Sequence, residues 1–189
     1  MKSRLLIMVS GSVLALTACN KHDETTTNAM DTNVAMDNEA AANMAEPGPM
    51  TAQGFVNAVA ASDKFEIETS GLAKTATQNS DYLGFAETMV GAHSESTAKL
   101  KSIVAAMSPP LTPDDTLSAA QQGTLDSLKR ASGAAFESGY KTAQIDAHQK
   151  ALDLLNDYAA SGGDAQLKAF ASSMIPKVTA HLNMAKALK

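Results

Sequence analysis

Residues 136–158 read FESGYKTAQIDAHQKALDLLNDY. Phe136, Tyr140, Ala147, Ala151, Leu154 and Tyr158 recur at steps of three, four or seven, the spacing of one face of an α-helix. The stretch belongs to a helix expected over about 133–160, and similar stripes recur in three other segments. About 51–78 carries Phe55, Val59, Ser62, Glu66, Thr69 and Ala73, and about 81–107 carries Phe85, Met89, Ser96, Leu100, Ile103 and Met107. About 165–187 carries Leu167, Phe170, Ile175, Val178, Leu182 and Ala185, with Pro176 inside it expected to kink the helix.

Punctuation separates these segments. Asn79-Ser80 supplies a stop and an N-cap, Ser108-Pro109-Pro110 ends the second helix, and Ser161-Gly162-Gly163-Asp164 forms a tight turn that closes on an Asp N-cap. Pro113-Asp114-Asp115 opens a short helix over about 116–130. Four long helices, two tight hairpins and a connection with its own helix make an all-α four-helix bundle with an extra short helix between helices 2 and 3. Up-down-up-down and crossover connectivities are both open at this point. Composition agrees: 35 of 189 residues are alanine, a good helix former, while the aromatics that strands favour make up only 4%.

Three regions follow one another along the chain. Met1-Lys2-Ser3-Arg4 is a positive start, and Leu5 to Leu16 is a mostly apolar run too short to span a membrane comfortably. Leu16-Thr17-Ala18-Cys19 resembles a bacterial lipobox. The resemblance implies a signal peptide over 1–18, cleavage before Cys19, lipidation of Cys19 and an anchor on the periplasmic side of the cell envelope. Asn20 stands where an aspartate retains lipoproteins of enteric bacteria in the inner membrane, which favours the outer membrane. Residues 20–50 contain no Phe, Tyr, Leu or Ile and carry a net −5, the mark of a disordered tether. The bundle domain is then 51–189.

A single cysteine excludes an internal disulfide or a cysteine-based zinc site, and a net charge of −5 argues against a nucleic-acid partner. The tether holds Met30, Met36, Met44 and Met50, and soft thioethers bind Cu(I). Their spacings of six to eight are loose and only His22 accompanies them, so they read as linker residues.

The domain's polar interest lies in three histidines. Val90-His93-Leu100, Ile145-His148-Leu155 and Val178-His181-Leu188 share one pattern, which puts each ring on the inward stripe of its helix. Counted from the hairpins, Glu66 is expected to face His93, with His148 and His181 about one turn apart in depth, at 1.5 Å per residue. Glu66, His93, His148 and His181 therefore converge near mid-bundle. One carboxylate and three imidazoles suit Zn, Fe or Cu. The same groups also serve a structural hydrogen-bond network or a pH-responsive core, and all three readings are open at this point. No Glu-x-x-His is present, which disfavours a di-iron site. No nucleophile elbow, phosphate loop or dinucleotide fingerprint occurs either, so the leading expectation is a non-enzymatic envelope module with a protein or small-ligand partner.

The motifs Phe55, Glu66-Ile67…Gly71-Leu72-Ala73, Phe85-Ala86-x-x-Met89-Val90-x-x-His93, Tyr140-x-x-x-Gln144-Ile145-x-x-His148 and Pro176-x-Val178-x-x-His181-Leu182 together resemble the bacterial domain of unknown function 4142. The resemblance covers about 55–188. It implies a ferritin-like bundle in a secreted or lipidated protein and no particular reaction.

Overall fold

The computed structural model describes residues 50–189, which fall within one compact unit, Ala45–Lys189. Cys19, His22, Met30, Met36 and Met44 lie outside the described residues. Among the described residues there are six helices and no strand: α1 Ala52–Gly71, α2 Ala73–Ala76, α3 Ser80–Ala105, α4 Ala119–Lys129, α5 Gly133–Ser161 and α6 Ala165–Ala187. None is long and apolar enough to cross a membrane.

The caps sit where local chemistry puts them. Thr51, Asn79, Ser118 and Asp164 each accept a backbone N–H at the start of α1, α3, α4 and α6. Ser118 and Gln121 complete a capping box, so α4 begins three residues later than about 116. The helix expected over about 51–78 divides in two at Leu72. Pro176 does not end α6, which runs on to Ala187. Gly162 closes α5, and a Cβ there would lie 2.5 Å from the Tyr158 ring, so only glycine lets the chain turn this tightly.

Helix α1 packs against α3 and α5, and α6 packs against α5 and α3, which makes a square of four long helices. Side-chain contacts give the directions. Phe55 at the start of α1 stacks on Tyr158 at the end of α5, at 3.9 Å between ring centres, and meets Phe170 at the start of α6 edge-on. At the other end, Tyr140 early in α5 packs on Tyr82 and Phe85 at the start of α3, and its hydroxyl lies 2.6 Å from Ser70 Oγ near the end of α1. The order is thus up, down, down, up, and residues 106–132 cross the length of the bundle. This settles the connectivity as a crossover. The crossing segment follows α1: Lys64 pairs with Asp115 at 3.1 Å, Gln53 donates to the Thr112 carbonyl at 2.8 Å, and Gln121 of α4 reaches the Ala61 carbonyl at 3.5 Å.

The core comes in two apolar clusters. One gathers Phe55, Leu100, Leu155, Tyr158, Leu167 and Phe170, the other Phe65, Tyr82, Phe85, Met89, Phe136 and Tyr140. Between them lies a polar layer. Phe55 is fully buried, with its ring against Tyr158 and Phe170. Phe55→Ala should therefore cost about 3–5 kcal/mol of stability in urea unfolding; a loss under about 1 kcal/mol would show that this end is loosely packed.

Candidate metal centre

The polar layer is built by four helices. Helix α1 supplies Asp63 and Glu66, α3 supplies His93 and Ser96, α5 supplies Gln144 and His148, and α6 supplies His181. All but His181 are buried, and His181 is half-buried. The three imidazole rings form a near-equilateral triangle, with centroids 5.6, 5.8 and 5.6 Å apart.

Each ring is oriented from behind or hemmed by packing. His93 Nδ1–H donates to Asp63 Oδ1 at 2.8 Å, and Thr97 Oγ1 donates to the other Asp63 oxygen at 3.1 Å. His148 Nδ1–H donates to the Gln144 backbone carbonyl one turn earlier, at 2.7 Å. In the neutral rings these bonds fix the tautomers and leave the lone pair on Nε2. His93 Nε2, His148 Nε2 and His181 Nδ1 are all buried without a hydrogen-bond partner. Buried polar atoms are normally paired, so three orphans on converging rings call for an explanation.

One nitrogen from each histidine lies within 4.8 Å of the other two. Atoms so spaced share a centre no more than about 2.8 Å from each, against metal–nitrogen bonds of about 2.0–2.1 Å. Inward adjustments of under about 1 Å bring all three into bonding range. Glu66 is not among the groups that meet. It was expected opposite His93, but its Oε1 lies 3.9 Å from His148 Nδ1, on the side of that ring facing away from Nε2. The carboxylate that holds His93 is Asp63 instead. Asp63 sits four residues after Val59 and three before Glu66, the same helical spacing that marks the buried stripe, so its signal was present in α1.

Burial dominates the protonation states. It pushes the Glu66 carboxyl up to about 7, against the partly compensating attraction of His93 and the Gln144 amide. It pushes His148 and His181 down to about 4, with repulsion from His93 adding to the shift, and both are neutral at pH 7. Burial acts to lower His93 as well, but the Asp63 hydrogen bond and the nearby Glu66 outweigh it, and the net shift is upward.

A square of four helices with three imidazoles meeting in a mid-core polar layer defines a class: a helical bundle with an interior histidine cluster. The chain belongs to the DUF4142 family, a domain of unknown function whose model matches residues 34–188, beginning earlier than the 51 expected from periodicity. No functionally curated protein matches it. Among solved structures, CopM in the Cu(II)-bound form is similar in fold, with a TM-score of 0.60, 14% identity, and coverage of 71% of this chain and 92% of CopM. CopM in the Cu(I)-bound form is similar to the same degree, with a TM-score of 0.60, 14% identity, and coverage of 72% of this chain and 93% of CopM.

The shifts predict the pH dependence of the metal-free domain. His148 and His181 take up protons in the unfolded chain near 6.5 but in the folded one only near 4, so falling pH removes stability across that window. Glu66 has the opposite sign: its folded pKa lies above the unfolded 4.5, and the stability it contributes is lost as pH rises through about 7. Between pH 4.5 and 6.5 two groups oppose one, so thermal stability should decline from pH 6.5 to 4, and Glu66→Gln, which removes the opposing contribution, should steepen that decline. A melting temperature that rises on acidification would contradict this assignment.

Proposed function

We propose that this domain binds one transition-metal ion, with copper as the favoured metal, through His93 Nε2, His148 Nε2 and His181 Nδ1. The observation that carries the proposal is the set of three buried, unpartnered nitrogens on converging rings. A purely structural network would pair those atoms with protein groups, and here only the rear nitrogens of His93 and His148 are paired. That rear pairing is the usual support of a metal-ligating histidine: a carboxylate behind one ring, a backbone carbonyl behind another. Imidazole suits Zn, Fe and Cu alike, and nitrogen sites hold Cu²⁺ most tightly among the first-row divalent ions. The fold shared with the copper-bound CopM structures supports copper over the others. Glu66 supplies a carboxylate behind His148 that can balance the charge of a cation in an apolar core. The proposal is for binding, not for a reaction.

Isothermal titration and elemental analysis of untagged protein with Cu(I), Cu(II) and Zn(II) test this. The expected result is one copper per chain, lost when His93, His148 and His181 are all replaced by alanine, in a variant that remains helical by circular dichroism. Asp63→Asn keeps all three ligands and should weaken copper about 10–100-fold. No stoichiometric copper, or copper unaffected by the triple replacement, overturns the assignment.

We also propose that the domain is tethered through lipid on Cys19 to the envelope membrane, the outer one in preference. The support is the signal-peptide pattern and the lipobox resemblance at Leu16-Thr17-Ala18-Cys19. With more than one acyl chain, such an anchor is stable. In cells fed a labelled fatty acid, the mature protein should carry label in the outer-membrane fraction. Cys19→Ser should abolish the label and release the protein from that fraction; label that persists contradicts the proposal.

A further inference from the structure

Two cavities adjoin one another, a groove on the α1–α5 side and a void among all four long helices. The larger is a groove of about 780 Å³ floored by small side chains of α1 and α5, including Ala58, Ala61, Ala143 and Ala147. The smaller is a void of about 30 Å³ in the layer next to the imidazoles. By the same measure a single water needs about 10–15 Å³, so the void has room for one small molecule. It touches His93 directly. Two of its other walls are one helical turn from the remaining rings: Ala151 follows His148 by three residues, and Val178 precedes His181 by three.

The two cavities share three lining residues: Ser62, Ala151 and Leu154. These form the partition between groove and void. The partition is thin because α5 offers an alanine there and α1 a serine. Apart from Asp63, His93 and Ser96, the rest of the void is apolar, walled by Val59, Leu155, Phe170, Met174 and Val178. Its charged neighbour Asp63 has both oxygens engaged, by His93 and Thr97. Such a space discriminates against ions and water, which lose hydrogen bonds on entry, and favours a small neutral molecule.

We propose that the void is a ligand pocket beside the metal, taking a neutral diatomic molecule admitted from the α1–α5 groove past Ser62, Ala151 and Leu154. The proposal rests on the metal-binding reading above. Three protein ligands would leave a four-coordinate ion one open position, and the void beside His93 offers space for a further ligand in the adjoining layer. A ligand such as carbon monoxide attaches through its carbon lone pair, with no change of oxidation state and no proton transfer.

Two measurements separate this proposal from the metal assignment. The first uses the metal-free protein under oxygen pressure, where paramagnetic O2 broadens the methyl resonances of side chains it touches. Methyls of Val59, Leu155 and Val178 should broaden strongly and those of Val56, which is buried outside the void, should not. The second uses the Cu(I)-loaded protein and carbon monoxide, read by the infrared stretch of the bound gas. Wild type should show one sharp band. Ala151→Leu, which fills the partition and leaves every ligand in place, should keep its copper and lose about tenfold or more in carbon monoxide affinity, about 1.4 kcal/mol. Leu154→Ala should speed gas uptake. Absence of selective broadening shows that no such pocket exists. Selective broadening without a carbon monoxide band shows that the pocket is not at the metal, and an unchanged Ala151→Leu shows that entry lies elsewhere, past the half-buried His181; each overturns the proposal. Failure of the metal reading is recognised separately, by absence of copper in the wild-type protein.

Discussion

The 2.8 Å hydrogen bond between His93 and Asp63 joins α3 to α1 in the one layer of the core where polar groups are concentrated. Burying a carboxylate away from water is costly unless it is paired, and Asp63 spends both oxygens on α3, one on His93 and one on Thr97. That contact sets the register of the first helix pair. Register in turn decides which nitrogen of His93 faces the centre, and therefore whether three rings can meet at all. The apolar clusters at either end are built of interlocked aromatics such as Phe55–Tyr158 and Phe136–Tyr140 and hold the helices at the right distance. The polar layer selects how they slide.

The second hairpin is set by the same economy. His148 satisfies its rear nitrogen within its own helix, on the Gln144 carbonyl, and needs no partner from elsewhere. Gln144 then turns its side chain toward α1, where its amide donates to Thr69 Oγ1 at 3.3 Å, and Thr69 in turn donates to the Phe65 carbonyl. A chain of weak, local bonds thus ties α5 to α1 around Glu66. The carboxyl of Glu66 has no hydrogen-bond partner on either oxygen, and its burial keeps it largely protonated below neutral pH. A layer with unsatisfied acceptors and lone pairs lowers the stability of the bundle.

Much of this was legible before any coordinates. The caps at Asn79 and Asp164, the stop at Ser108-Pro109-Pro110 and the inward faces of α3, α5 and α6 are local properties, governed by neighbours within a turn or two. The pattern shared by His93, His148 and His181 was equally local, and all three rings stand together in the structure. The partner of His93 was not read correctly. Counting residues from a hairpin locates depth only to about one turn, because turn geometry and helix tilt add an offset that spacing does not record. Asp63 and Glu66 are three residues apart, and that offset exchanged them. Leu72 is a similar case: the stripe of α1 continues to Ala73, so periodicity does not reveal the break between α1 and α2.

By itself, then, the amino-acid sequence determined the four long helical segments, the caps at Asn79 and Asp164, most buried faces and the family, because each depends on periodicity and on residue chemistry over short spans. Tertiary structure alone decided the up-down-down-up crossover, the choice of Asp63 rather than Glu66 behind His93, the exclusion of Glu66 from the nitrogen triangle, and the void beside it. These depend on relative helix positions of a few ångströms, which many side chains packing at once set and no single segment encodes.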